Sequence, residues 1–205
     1  MGGDEPIASK WNARYAFANK TLPEPAAVFQ YANEFLPSNG VALDVACGRA
    51  GNAFHLASLG FDVQAWDISD TVIDWVNQHN KQRSEPLKVF AEVRDVVLHP
   101  PEPESFDVIA VSRFLDRSIC DALMAALKPD GILLYETFTA GLNNKNYSLE
   151  ASEITQLFSE LNVLFHKETE VDANGMASAM LIAQRKTDRK SDRKSEHKSK
   201  RERDA

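Results

Sequence analysis

Val-Ala-Leu-Asp-Val-Ala-Cys-Gly-Arg-Ala-Gly-Asn-Ala-Phe-His-Leu-Ala-Ser-Leu-Gly-Phe-Asp-Val-Gln-Ala-Trp-Asp, from Val41 to Asp67, is the stretch that decides the fold. Val41 to Val45 is a short apolar run, the pattern of a buried strand. It breaks into a turn of small residues, Ala46 to Gly51. Phe54, Leu56, Ala57 and Leu59 then recur as a helical face, with Gly60 as the stop. A second apolar run, Phe61 to Trp66, ends in Asp67. Strand, tight turn, helix, strand and closing acid make the βαβ half of a nucleotide-binding sheet.

Small residues in the first turn let a ligand approach the backbone closely. A carboxylate at the end of the second strand can accept hydrogen bonds from two ribose hydroxyls. Gly48 and Gly51 are the only glycines of the turn, so the three-glycine dinucleotide fingerprint is missing. No Gly-Lys-Ser/Thr follows, which excludes a P-loop. The alternative reading of the turn is a set of small residues chosen for packing of the helix on the strand.

Leu-Asp-Val-Ala-Cys-Gly-Arg-Ala, from Leu43 to Ala50, resembles the first motif of class I S-adenosylmethionine-dependent methyltransferases, Leu-Asp-x-Gly-x-Gly-x-Gly. Asp44, Gly48 and the small residues Ala46 and Ala50 match it, the two alanines standing where the family has glycine. Val-Gln-Ala-Trp-Asp-Ile-Ser resembles the second motif, whose acid binds the ribose. More narrowly, Trp11 to Arg185 is similar to the tellurite-resistance type of small methyltransferase. The resemblance implies S-adenosylmethionine as cofactor, held by Asp44, Ala46, Cys47, Gly48, Asp67, Ile68, Asp95, Val96 and Ser112. It places Tyr15, Arg113, Arg117 and Glu136 on the acceptor side as the catalytic candidates. It also implies an α/β fold: a Rossmann-like, doubly wound, seven-stranded sheet, mostly parallel, with a C-terminal antiparallel hairpin.

The 205 residues suit one domain with a sizeable core. No apolar stretch is long enough to span a bilayer, and the N-terminus has no apolar signal core. Cys47 and Cys120 form neither a disulfide framework nor a metal-ligand cluster, so a cytoplasmic location and no metal are expected. The net charge of −7 hides two parts. Arg185 to Ala205 carries ten Lys/Arg and five Asp/Glu, a net of +5; the remainder is −12. An acidic body disfavours nucleic-acid binding except weakly through the tail. The expected partner is a small-molecule substrate, not a membrane. Oligomeric state is left open.

The expected division is an N-terminal flap over residues 1–24, a methyltransferase domain over 25–184 and a disordered charged tail over 185–205. Trp11, Arg14, Tyr15 and Phe17 precede the first clear helix and cover either a ligand or a core edge. Pro25 opens that helix, with Val28, Tyr31, Ala32 and Phe35 on its apolar face. Ser69 caps the next one, with Val72, Ile73 and Val76 facing the core. Leu87, Val89, Ala91 and Val93 alternate as a third strand. Asp95 at its end matches the family position that bonds the adenine amino group; its plainer reading is a turn aspartate. Phe106 to Val111 is a fourth strand, followed by Ser112-Arg113-Phe114-Leu115-Asp116-Arg117.

Arg113 and Arg117 either hold an anionic substrate or make surface ion pairs at a helix start. Ile119, Leu123, Ala126 and Leu127 form another helix face, stopped at Lys128 to Gly131. Glu136 is unexpected in the apolar fifth strand, Ile132 to Phe138. A carboxylate there reaches the open end of the sheet or pairs with an arginine, since a buried unpaired charge costs several kcal/mol. Ala140 to Tyr147 is an Asn-rich candidate lid. Val163 to Phe165 and Ala177 to Ala183 are strands joined through the turn signal Asn174-Gly175.

Methyl transfer from a sulfonium asks mainly for positioning. No histidine among His55, His79, His99, His166 and His197 sits in a catalytic constellation. The expected activity is transfer of a methyl group to a small, possibly anionic, molecule such as a chalcogen oxyanion or thiol. The alternative is a noncatalytic cofactor-binding or adaptor protein that recruits a partner through its basic tail. A nicotinamide dehydrogenase fits the turn pattern and the final hairpin less well.

Overall fold

The structure is a computed structural model and describes residues 6–85, 87–141 and 147–187. Most of the candidate lid and the tail beyond Thr187 lie outside the described residues. In chain order the elements are α1 (Ile7–Ala16), β1 (Val41–Val45), α2 (Gly51–Ser58), β2 (Asp62–Asp67), α3 (Asp70–Lys81), β3 (Val89–Val93), β4 (Phe106–Ser112), α4 (Cys120–Ala126), β5 (Leu127–Ala140), α5 (Glu153–Leu157), β6 (Asn162–Glu168) and β7 (Ala177–Gln184). Short 3-10 turns cover Ala27–Tyr31 and Arg117–Ile119.

The seven strands form one sheet in the order β3-β2-β1-β4-β5-β7-β6. β1 to β5 run parallel, and β7 pairs antiparallel with both β5 and β6. This is the mostly parallel seven-stranded sheet with a C-terminal antiparallel hairpin expected from the sequence. Strand alternation splits the core into two layers. Leu43, Val45, Ile109, Val111, Leu133 and Tyr135 pack on one face against Leu123 of α4 and Ile154 of α5. Ala42, Val63, Val108, Ala110 and Leu134 pack on the other against Phe54 and Leu56 of α2 and Val76 of α3.

Both ends of the central strands are tied. At the start of β1, the Asp107 carboxylate accepts from the Val41 amide at 2.8 Å and pairs with Lys128 Nζ at 2.7 Å. The other end, where the five parallel strands terminate, carries the polar residues described below.

Three local expectations change. The segment around Trp11 and Tyr15 is itself a helix, α1, yet it buries no residue and meets the body through α3. The helix expected after Pro25 is a 3-10 turn over Ala27–Tyr31. Its first amides are taken by distant side chains: Asn52 accepts from Ala26 N at 2.9 Å, and Glu136 from Val28 N at 2.8 Å. Tertiary anchoring thus sets the path of this segment where the periodicity suggests a longer helix. Finally, Arg185 belongs to the folded body. Its guanidinium donates to the carbonyls of Ala125 and Leu127 and pairs with Glu104 at 2.9 Å.

Candidate cofactor and acceptor site

The turn after β1 is built from left-handed residues. Ala46, Gly48 and Ala50 have φ of 50°, 52° and 58°. An alanine in this region costs roughly 1–2 kcal/mol, so the geometry explains why glycine suits the first and third positions. Ala50 offsets part of that cost by burying its methyl completely. Gly48 has a second reason to lack a side chain: a Cβ there would lie 2.8 Å from the Tyr15 hydroxyl. Gly51 is constrained differently, since its Cβ would fall 2.6 Å from the Pro23 carbonyl, where the N-terminal segment crosses the start of α2.

Asp44 ends 0% exposed near the close of β1. Ala50, the cap position of α2, has no side-chain acceptor to offer. Asp44 supplies one from the strand, accepting from the Ala53 amide at 3.0 Å and from Asn52 Nδ2 at 3.2 Å. The carboxylate thus satisfies an amide donor that a helix N-terminus leaves open. Burial nevertheless pushes its pKa up to about 8, against the opposing effect of those two hydrogen bonds.

Asn52, itself only 5% exposed, links three elements. It donates to Asp44 of β1 and to the Ser112 hydroxyl of β4 at 3.0 Å, and accepts from Ala26 of the N-terminal segment. Sequence reading did not single it out. The available signal was a polar residue in the first turn of a helix that has no capping side chain.

Asp67 closes β2 with 5% exposure. One carboxylate oxygen accepts from Gly48 N and the other from Ser69 N, each at 2.9 Å. Burial raises its pKa, while these amides and that of Ile68 favour the charged form. Each carboxylate oxygen has a second lone pair, so Asp67 keeps acceptor capacity for ligand hydroxyls. Ile68 beside it is half-buried. At the end of β3, Asp95 Oδ1 accepts from Val97 N at 2.9 Å and Leu98 N at 3.2 Å, the turn-aspartate geometry. Val96 next to it is buried. Cys47 is half-buried, and burial pushes its thiol far up, so it is a neutral packing group.

The N-terminal segment straps across these strand ends. Asn12 of α1 accepts from the Ser69 hydroxyl at 2.6 Å. Arg49 of the turn donates to the carbonyls of Asn19 and Thr21. Tyr15 lies over Gly48. Burial, then Asp67 and Cys47, push its phenol well above the usual range. Its hydroxyl therefore stays protonated, a neutral donor with no capacity as a base at ordinary pH.

The four acceptor-side candidates separate. Glu136 pairs with neither arginine; its carboxylate holds Val28 N, which accounts for an acid in that strand. Arg117 makes a bidentate pair with Glu153, at 2.5 and 2.9 Å, and donates to Ser148 O at 3.1 Å. It thereby fastens the turn after β4 to the start of α5. Arg113 is exposed, with φ of 54°, and its amide donates to Glu136 O at 2.8 Å. Among the described residues, no group of His, Cys, Asp and Glu could hold a metal ion. No helix of the described residues is long and apolar enough to cross a membrane.

Residues 42–131, a little under half of the chain, match a family described as a methyltransferase domain. Those residues carry a methyltransferase domain, and the chain has the fold of class I S-adenosylmethionine-dependent methyltransferases. A ubiquinone biosynthesis O-methyltransferase of Paraburkholderia phymatum is 23% identical over 116 residues, covering 54% of this chain and 50% of that one. The chain spans about half the length of the curated relatives it matches. Among solved structures, TehB of Haemophilus influenzae superposes with a TM-score of 0.68 at 19% identity, covering 85% of this chain and 67% of that one. A phosphoethanolamine N-methyltransferase 2 of Haemonchus contortus, in complex with S-adenosyl-L-methionine, gives 0.65 at 15% identity, covering 86% and 56%.

Two predictions follow from the buried network. Asn52→Ala leaves Asp44 and the Ala26 amide short of partners, so it should lower unfolding free energy by about 1–3 kcal/mol for each group left unsatisfied; urea denaturation measures this. The second concerns pH. Asp44 has a folded pKa above its unfolded one, so the native state binds the extra proton between about pH 4 and 8. Its contribution to stability is present below that window and is lost as pH rises through it. Melting temperature against pH should fall less steeply across this range in Asp44→Asn than in the parent chain.

Proposed function

We propose that the protein transfers a methyl group from S-adenosylmethionine to a small anionic molecule. The observation that carries this reading is the arrangement of Asp67, Gly48 and the left-handed turn at the carboxyl ends of β1 and β2, inside the matched methyltransferase domain. That is where ligands bind in an open α/β sheet. The side-chain-free surface at Gly48 and the spare acceptor capacity of Asp67 suit a ribose and a short polar chain. When bound, S-adenosylmethionine supplies a methyl group on a sulfonium.

In this reading Asp67 accepts from the ribose hydroxyls, with Ile68 against the base. Asp95 and Val96 meet the adenine edge through the Oδ2 that the turn leaves unused. Ala46, Cys47 and Gly48 flank the methionine portion, with Asp44 and Ser112 behind them. Tyr15 closes over the turn as a neutral hydroxyl donor. Residues 6–24 act as the flap, with the charged tail beginning after Thr187.

On the acceptor side, Arg113 is the cation we assign to the substrate. An acidic body repels an anion, so a guanidinium at the mouth has to offset that field. Lys10 and Arg14 of α1 add positive charge to the flap, Lys10 lying 5.8 Å from the Tyr147 ring centroid beyond β5. The TehB superposition supports a tellurite-resistance type of acceptor only as a class to test first. Arg117 and Glu136 build the walls of this side through Glu153 and Val28. Two free thiols, Cys47 and Cys120, suit a reducing cytoplasm.

Calorimetric titration with S-adenosylmethionine followed by a methyl-acceptor screen tests the reading. Asp67→Ala should weaken cofactor binding by about 1.5–3 kcal/mol, roughly ten- to hundredfold; equal affinity would remove the ribose role. Arg113→Ala should leave cofactor affinity intact and lower kcat/KM for the true acceptor by a similar factor. Arg117→Ala should act mainly on melting temperature. Unchanged turnover in Arg113→Ala would take the anionic acceptor out of this site.

A further inference from the structure

β2 and β3 form one edge of the sheet, and one face of that edge is covered fully while the other is covered only around Trp66. Val63, Ala65 and Val89 pack inward on the side of α2 and α3, with Ala91 against them. On the opposite face Trp66 is buried under Arg94, whose guanidinium lies 3.9 Å from its ring centroid, while Gln64 is half-buried and Phe90 and Glu92 are exposed. The connection from β3 to β4, residues 94–105, contains turns and no helix. Elsewhere on this face α4 meets β5 and α5 meets β7. What remains is an open groove of about 320 Å³ lined by Gln64, Trp66, Phe90, Ala91 and Glu92.

Two features of this groove point to an occupant. Phe90 is 66% exposed, a large apolar ring on the face of a sheet. Trp66 lines the groove, and its indole N–H is buried without an acceptor among the described residues. A buried donor with no partner is uncommon.

The charges say what kind of occupant fits. Lys88, Phe90 and Glu92 share this face through the two-residue period of a strand. Lys88 pairs with Asp62 and Glu92 with Arg94 at 3.5 Å, yet the Lys88 and Glu92 side chains stay 70% and 56% exposed, so both heads are accessible. Cation, aromatic and anion in a row form a self-complementary pattern. A two-fold axis lying in the contact plane and crossing β3 at Phe90 brings ring to ring, and each Lys88 over the Glu92 of the other copy. That is an isologous interface. The open edge of β3 is less available, because Asn77 Nδ2 donates to Ala91 O at 3.2 Å and Asn80 Nδ2 to Leu87 O at 2.9 Å. Such caps blunt an edge against strand addition and leave the face as the accessible surface.

We propose that the β2–β3 face is the interface of a homodimer of this chain, centred on Phe90. The ring of each copy enters the groove beside Trp66 of the other. Phe90 and Gln64, on which the contact is centred, each lie three residues before the last residue of their strand.

Sedimentation equilibrium of the full chain over a concentration series tests this. The chain should dimerise, and Phe90→Asp should raise the dissociation constant at least ~tenfold with an unchanged circular dichroism melt. Lys88→Glu alone and Glu92→Lys alone should each weaken the dimer, and the double variant should restore it. A chain that stays monomeric at every concentration overturns the proposal. So does a dimer indifferent to Phe90→Asp, or a double variant no tighter than the singles. A monomer whose groove binds a hydrophobic dye only after removal of residues 188–205 would assign the face to the chain's own tail and equally overturn it.

Discussion

A carboxylate with no exposure must be given donors, and Asp44 receives them from the start of α2. That requirement fixes how α2 meets β1. Ala53 N and Asn52 can both reach Asp44 only if the turn between them is tight, and tightness is met by left-handed residues at 46, 48 and 50. The turn in turn leaves a backbone surface beside Asp67, where Gly48 has no side chain of its own and the Tyr15 hydroxyl lies against it. The shape of this turn is thus a consequence of satisfying one buried acid. Asn52 extends the constraint to Ser112 and Ala26, so the ends of β1 and β4 and the incoming N-terminal segment are set by a single amide side chain.

The strap over this site is of another kind. α1 buries none of its residues and is attached by polar contacts: Asn12 to Ser69, Arg49 to Asn19 and Thr21, Tyr15 against Gly48. Segments held this way open at lower free energy than the core. The contrast with the stretch from Ala26 to Tyr31 is informative. There Val28 and Phe29 are buried and their segment is pinned by Asn52 and Glu136, so it belongs to the rigid body. One continuous N-terminal segment therefore contains a loosely attached half over the turn after β1 and a fixed half pinned by Asn52 and Glu136.

Electrostatically, the site combines an acidic body with a few placed cations. The Arg117–Glu153 pair is bidentate and lies near the surface, where its value is geometric: it keeps the turn after β4 against α5. Arg113, directly after β4, has its backbone fixed through Glu136 O while its side chain is exposed. The segment after β4 thus carries one arginine anchored to α5 and another presented to solvent.

The sequence alone determined the elements that rest on local periodicity and turn chemistry. The βαβ unit from Val41 to Asp67, the Ser69 cap of α3, with its hydroxyl accepting from Val72 N, and the final hairpin were all legible, because burial of alternating or helical apolar faces leaves a direct mark on residue order. Asp44 and Asp67 could be named from motif position. Their partners could not, since Asn52 meets Ser112 and Glu136 meets Val28 across 60 and 108 residues. Periodicity suggested a longer helix after Pro25, and an arginine partner for Glu136 was one of the open readings. Tertiary structure decided both differently, because a hydrogen bond between distant segments satisfies a buried polar group without leaving any pattern in the local sequence.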